Sequence, residues 1–328
     1  MTRFIVGRAI SAVVLLLVLT AIVFVLQEIS PGDPVKASLG ANASPAAVAA
    51  ERERLGLNDP LPVRYGRFVG HAVQGDLGTS LRTHRKVTDD LHSKLPATAE
   101  LVALAFIFAT ALAIAFAFTG AMRARGGGAY RGVLLIGATA PPFLLGLGGI
   151  VLFYSQLGWL PASGRGPEYP GPTGFLVFDS LVHGSVPDAT NALKHLLLPA
   201  LVLSIAPAIA IGRIWRSSME EVFRSDHIRT ARSKGLTDSA VVVHHVVRNS
   251  LNPPLSMAGL QLGFIFAGVV VVEQVFSWPG LGNYLAESIQ VSDFPAIAGV
   301  TLILGALYIV VNFVVDVLQA VVDPRIEN

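Results

Sequence analysis

The chain has 328 residues, of which 52% are hydrophobic and 14% charged, against about 25% charged in soluble domains. That composition excludes a large soluble globule and predicts an integral membrane protein. A formal net charge of +2 excludes a nucleic-acid-binding footprint, and the absence of cysteine excludes disulfides, iron–sulfur ligation and thiol chemistry.

Roughly 20 apolar residues cross a bilayer as a helix, and six stretches reach that length. The first covers about residues 9–29, after Arg3 and Arg8. A signal peptide is the competing reading, since Ala41-Asn42-Ala43 resembles a small-residue cleavage site. The apolar run is longer than a signal core and the Ala-x-Ala lies well beyond it, so the stretch reads as a retained first helix. Residues 30–95 differ in character. Pro31-Gly32-Asp33-Pro34 breaks the helix, Ser44-Pro45 suits a helix start, 61–73 has helical apolar spacing, and Gly75-Asp76-Leu77-Gly78 reads as a turn. This predicts an extracytoplasmic cap of short helices over 30–96, with Asp89–Leu95 lying along the interface.

The second helix is predicted over about 98–119, with Glu100 near its outer end. A glycine-rich turn follows, carrying Arg123 and Arg125. The third helix, about 131–152, contains Pro141 and Pro142, a pair that must kink or break it. Residues 154–194 read as a Gly- and Pro-rich outer loop. The fourth helix, about 195–215, contains Pro199 and Pro207. The fifth, about 254–276, carries Gly259-x-x-x-Gly263, a spacing that permits close helix contact. The sixth spans about 297–322.

Six helices put both ends on one side. The basic residues of the N-terminus, of 122–131 and of 213–248 then share that side, which is cytoplasmic by the positive-inside rule. The basic residues of 30–95 oppose this assignment, but that loop exceeds the length over which the rule holds.

The connector Asp226–Pro253 is the most polar and basic run in the second half. Asp226 is placed to cap a short helix, Ile228, Ala231 and Arg232 share one face, and Gly235 suits a left-handed stop. Ala231 is small enough for close approach, and Arg229, Arg232 and Lys234 offer charge to an acidic rim. Taken alone, the pattern fits equally well a solvated loop that only sets topology.

Elsewhere, Glu273 at the outer end of the fifth helix fits a functional carboxylate or an interfacial anchor. Asn312 and Asp316 share a face of the last helix. Trp278 and Tyr284 read as members of an interfacial aromatic belt. Pro141, Pro142, Pro199 and Pro207 point to moving parts. No catalytic residues, resident cofactor or metal site are expected, and no nucleotide-binding motif is present.

The run Ile228-Arg229-Thr230-Ala231-Arg232-Ser233-Lys234-Gly235-Leu236, with His245, Arg248-Asn249 and Pro253, resembles the coupling loop of ABC importer permeases. More narrowly it is similar to the B-type permease of the dipeptide/oligopeptide and nickel uptake subfamily. Arg216-Ser217-Ser218-Met219, Phe276-Ser277-Trp278-Pro279-Gly280-Leu281-Gly282 and Asp323-Pro324-Arg325 agree, as do the Pro31–Pro34 and Gly75–Gly78 motifs. Two departures stand out. Arg229-Thr230-Ala231 replaces the broad Glu-Ala-Ala motif, which favours the narrower subfamily, and Asn252-Pro253-Pro254 stands where Leu-Pro is usual.

The resemblance implies an all-α type I importer permease of six transmembrane helices with both termini cytoplasmic, in a bacterial inner membrane. Residues 1–29 would form the N-terminus and first span, 30–96 the cap, and 97–328 a core with a coupling loop at 216–253. It implies import of di- or oligopeptides; nickel chelate, glutathione or haem is the alternative cargo. Its partners would be a C-type permease, two ABC ATPase subunits that bind ATP and Mg, and an extracytoplasmic binding protein. Asp226, Ile228, Arg229, Thr230, Ala231, Arg232, Lys234, Gly235 and Leu236 would couple to the ATPase. Pro141, Pro142, Pro207, Glu273 and Asn312 are the candidates for gating and path.

Overall fold

The computed structural model describes residues 2–29, 35, 44–54, 56–121, 127–166 and 171–322. The Pro31–Pro34 motif, Arg123, Arg125 and Asp323-Pro324-Arg325 lie outside the described residues. The described chain is helical, with an isolated bridge between Thr79 and Lys86. Five helices are long and apolar enough to span a membrane. A sixth span arises if the broken pair around Pro141 is counted as one.

The chain divides into two compact units, residues 1–96 with 280–307, and residues 97–279 with 308–328. The helices are α1 (Thr2–Ile29), α2 (Pro45–Arg54), α3 (Leu61–Val73), α4 (Val87–Ala121), α5 (Gly127–Thr139), α6 (Pro142–Gly149) and α7 (Leu176–Val182). They continue with α8 (Val186–Phe223), α9 (Asp226–Ser233), α10 (Asp238–Val241), α11 (Asn252–Val275), α12 (Leu281–Gln290) and α13 (Phe294–Val322). One-turn π-helical extensions, Ile150–Gln156 and Val242–Val247, follow α6 and α10.

In the first unit, Ser44 Oγ accepts from the Ala47 backbone N–H and Pro45 opens α2, as the Ser-Pro pair suggests. Helix α3 is fastened to α1 by a Glu28–Arg64 ion pair and by Tyr65, whose hydroxyl bonds the Leu17 carbonyl at 2.9 Å. A small core joins Val87 and Leu91 to Leu281, Tyr284, Ala296 and Val300. It surrounds two buried carboxylates. Asp90 accepts from Thr83 and from Tyr284 at 3.0 Å; Asp293 accepts from Ser80 and from the Arg82 amide.

Residues 89–95, expected along the interface, form the opening turns of α4, which runs through Pro96. Asp89 and Asp90 in the first turn suit the positive end of the helix dipole. Tyr284 is not in an aromatic belt. It is 1% exposed, because its hydroxyl has a buried acceptor in Asp90.

The second unit is built on α8 packed against α11, with a core of Leu198, Val202, Leu203, Leu262, Ile265, Val269, Phe276 and Trp278, among others. Helix α8 is continuous for 38 residues through Pro199 and Pro207, so the predicted break occurs at Pro141-Pro142 and not in the fourth span. There the chain bends by more than 40° between α5 and α6. Pro142 opens α6, where a missing N–H costs nothing. The supposed outer loop 154–194 contains α7 and the first turns of α8.

Glycines set the closest helix approaches. A Cβ on Gly263 would lie 2.9 Å from the Tyr308 ring, and one on Gly259 would lie 3.1 Å from Val315 and 3.3 Å from Asn312. The Gly259-x-x-x-Gly263 face therefore meets α13.

Candidate coupling surface and membrane path

Helix α9 divides its residues sharply. Ile228 and Ala231 are buried, three positions apart on one face. They enter a core with Trp215 and Met219 of α8, Ala117 of α4, and Val241, Val242 and Val246 of the returning helix. Trp215 stacks edge-on against Phe118 at 6.0 Å, and its indole N–H donates to Ser250 Oγ at 3.2 Å. The short helix is thus clamped to the ends of two membrane-length helices by close-packed apolar contact. Such packing transmits displacement rather than absorbing it.

The opposite face is exposed: Asp226, His227, Arg229, Thr230, Arg232 and Lys234, with Leu236 following. Arg229 pairs with Asp226, and Arg232 with Asp238, both at 3.5 Å. Exposed pairs of this kind hold weakly and exchange readily with another acidic partner. Gly235 ends the helix at φ +81°, in the left-handed region.

Two details depart from the sequence reading. Asp226 is not the cap: Ser225 occupies the N-cap position and Asp226 lies in the first turn, where its charge still favours the dipole. Ile228 and Ala231 are buried within the chain. They seat the helix, because an apolar pair three apart buries where the flanking spans supply apolar walls.

The path candidates separate as well. Pro142 and Pro207 line one cavity of about 310 Å³ between α6, α8 and α11, together with Gly137, Val202, Leu203 and Gln261. Gln261 is its polar side chain and escaped notice in the sequence, though an amide inside an apolar span is a readable signal. Pro141 caps α6.

Glu273 is elsewhere and fully enclosed, which rules out the anchor reading; it accepts from Thr98 Oγ1 at 2.6 Å. Asn312 packs at the Gly259 contact, and its amide donates to the Tyr308 carbonyl at 3.0 Å. Trp278, expected in an aromatic belt, is 0% exposed and donates to the Ala97 carbonyl at 3.0 Å. A buried indole needs such an acceptor, and a helix carbonyl supplies it.

Around these residues the loop before α7 is tied down. Glu100 pairs with Arg165 at 2.6 Å and accepts from the Val177 amide; the Gly164 amide donates to the Phe276 carbonyl at 2.8 Å.

Comparison with known proteins matches residues 109–328 to the binding-protein-dependent transport system inner membrane component family. Residues 1–102 match the N-terminal family of such membrane components. The chain is 38% identical over 325 residues to the dipeptide transport system permease protein DppB of Alkalihalophilus pseudofirmus, covering 98% of each. It is 40% identical to the di/tripeptide transport system permease protein DppB of Pseudomonas aeruginosa, covering 94% of each. It is 33% identical to the glutathione transport system permease protein GsiC of Salmonella paratyphi A, covering 99% of each.

Proposed function

The chain belongs to the binding-protein-dependent transport system inner membrane component family, and from that premise we propose that it is the permease of an ATP-driven importer of di- and oligopeptides. The peptide cargo rests on relatives named for dipeptide and di/tripeptide transport, which match nearly end to end. Glutathione is the second reading, favoured by relatives at 33% identity.

In this reading the chain hydrolyses nothing. A C-type permease completes the path, two ATPase subunits bind ATP and Mg, and an extracytoplasmic binding protein delivers cargo. The observation that carries the mechanism is the split of α9, apolar side locked to α4 and α8, charged side outward. An ATPase that grips the outer face differently in its two nucleotide states displaces the ends of both spans, since only differential contact shifts a conformational equilibrium. The cavity at Pro142, Pro207 and Gln261 is the candidate segment of path, a gap between helices that can re-pack.

The test is reconstitution of the chain with its partner permease, ATPases and binding protein in vesicles. ATP-dependent uptake of a labelled dipeptide is expected. Uptake of glutathione but of no other peptide would favour the second reading, and uptake of neither would overturn the assignment.

A further inference from the structure

We propose that the cavity formed by Arg131, Arg213, Arg216 and Ser217 binds the phosphate of an anionic phospholipid headgroup. The cavity holds about 280 Å³ and is completed by Phe116, Leu135 and Glu220. Close helix packing builds it. A Cβ on Gly212 would lie 2.9 Å from Phe116 Cβ, so α8 approaches α4 closely beside Arg213. The Tyr130 hydroxyl donates to the Leu112 carbonyl at 2.8 Å and fastens the start of α5 to α4, next to Arg131. Phe116, on the cavity wall, belongs to a buried apolar cluster with Leu134 and Ile209 that fixes its position.

Three guanidinium groups and one carboxylate line this space. The carboxylate is committed: Glu220 accepts from Arg216 Nε at 2.8 Å. Among the described residues neither Arg131 nor Arg213 has an ion-pair partner, and Arg131 Nη1 is enclosed without a hydrogen bond. Arg131 is half-buried and Arg213 exposed, and an enclosed guanidinium N–H without an acceptor is costly. Guanidinium groups match phosphate oxygens in a fork geometry that ammonium lacks, and the Ser217 hydroxyl adds a donor.

The surroundings select a lipid over free phosphate. Phe116 and Leu135 line the cavity beside the guanidinium groups, an apolar wall suited to the start of an acyl chain. Basic pockets between membrane helices recognise lipid headgroups by this combination. The site also bears on coupling. Arg213 and Arg216 alternate along α8 with Trp215 and Met219, which seat α9. A bound headgroup therefore braces the helix end that the coupling helix grips.

Native mass spectrometry of the complete transporter, purified from bacterial membranes, tests this. Wild type is expected to retain phosphatidylglycerol or cardiolipin in preference to phosphatidylcholine. Retention should fall by about thirtyfold in the Arg131→Gln/Arg213→Gln variant, from the loss of two cations near the membrane surface. Equal retention of anionic and neutral lipid by wild type overturns the proposal without reference to any variant. Displacement of the lipid by millimolar inorganic phosphate also overturns it, because the site would then serve a free anion.

Discussion

Thr98 Oγ1 donates to Glu273 Oε1 at 2.6 Å, and both side chains are fully enclosed. The pair joins α4 to α11 inside the second unit, where a carboxylate stripped of water needs its donors. Thr98→Val keeps the shape and removes one donor. It should destabilise the purified protein by about 1–3 kcal/mol, whereas Thr98→Ser should retain most of the stability. Thermal unfolding in detergent decides; equal melting of Thr98→Val and wild type would remove the pair from the stability account.

Seating and contact in α9 are separable. Ile228→Ala should destabilise the core under α9 by about 2–4 kcal/mol, because Ile228 is 1% exposed. Arg229→Glu, with its side chain 82% exposed, should leave melting unchanged and weaken ATPase capture. Co-purification of the ATPase subunits with each variant checks this. Unaltered capture by Arg229→Glu would take the outer face of α9 out of the interface.

Gly235 has open space around its Cβ position, so any effect of substitution comes from its backbone angle. Gly235→Ala should cost about 1–2 kcal/mol, and Gly235→Asn less, since Asn tolerates the left-handed region. Uptake and ATPase stimulation should fall in that order. Equal loss in both would point to the side chain and not the backbone.

Gly263→Ala should drive a methyl into Tyr308 and destabilise the α11–α13 contact by about 1–3 kcal/mol. Adding Tyr308→Leu should restore part of the loss. A double variant no more stable than Gly263→Ala alone would show that the contact is not the cause.

Burial pushes the Tyr284 phenol up to about 12, with Asp90 and Asp293 adding to the rise and a hydrogen bond with Ser80 opposing it. An unfolded phenol ionises near about 10. The folded state therefore holds the proton longer. This contribution to stability is present in full below about pH 10 and is lost as pH rises through about 12. Denaturation midpoints measured across that window should fall with pH in wild type and fall less in Tyr284→Phe. Parallel pH curves would exclude Tyr284 as the titrating group.

Apolar run length and basic clustering, which depend on local composition, make the spans, the break at Pro141-Pro142 and the connector at Asp226–Pro253 legible from the chain alone. The Gly235 stop and the Ser44 cap were equally readable, since each is set by residues within a turn of itself. What lies on either side of a residue was not. Ile228 and Ala231 look available in a basic loop, yet Trp215, Met219 and Val246 enclose them. Trp278 and Glu273 look interfacial, yet the Ala97 carbonyl and Thr98, far away in sequence, make their burial affordable. The meeting of Arg131 with Arg213 and Arg216 depends on the packing of α5 against α8. Apolar periodicity determines that a helix forms and that it enters a membrane; which polar groups find partners is decided only when distant helices pack.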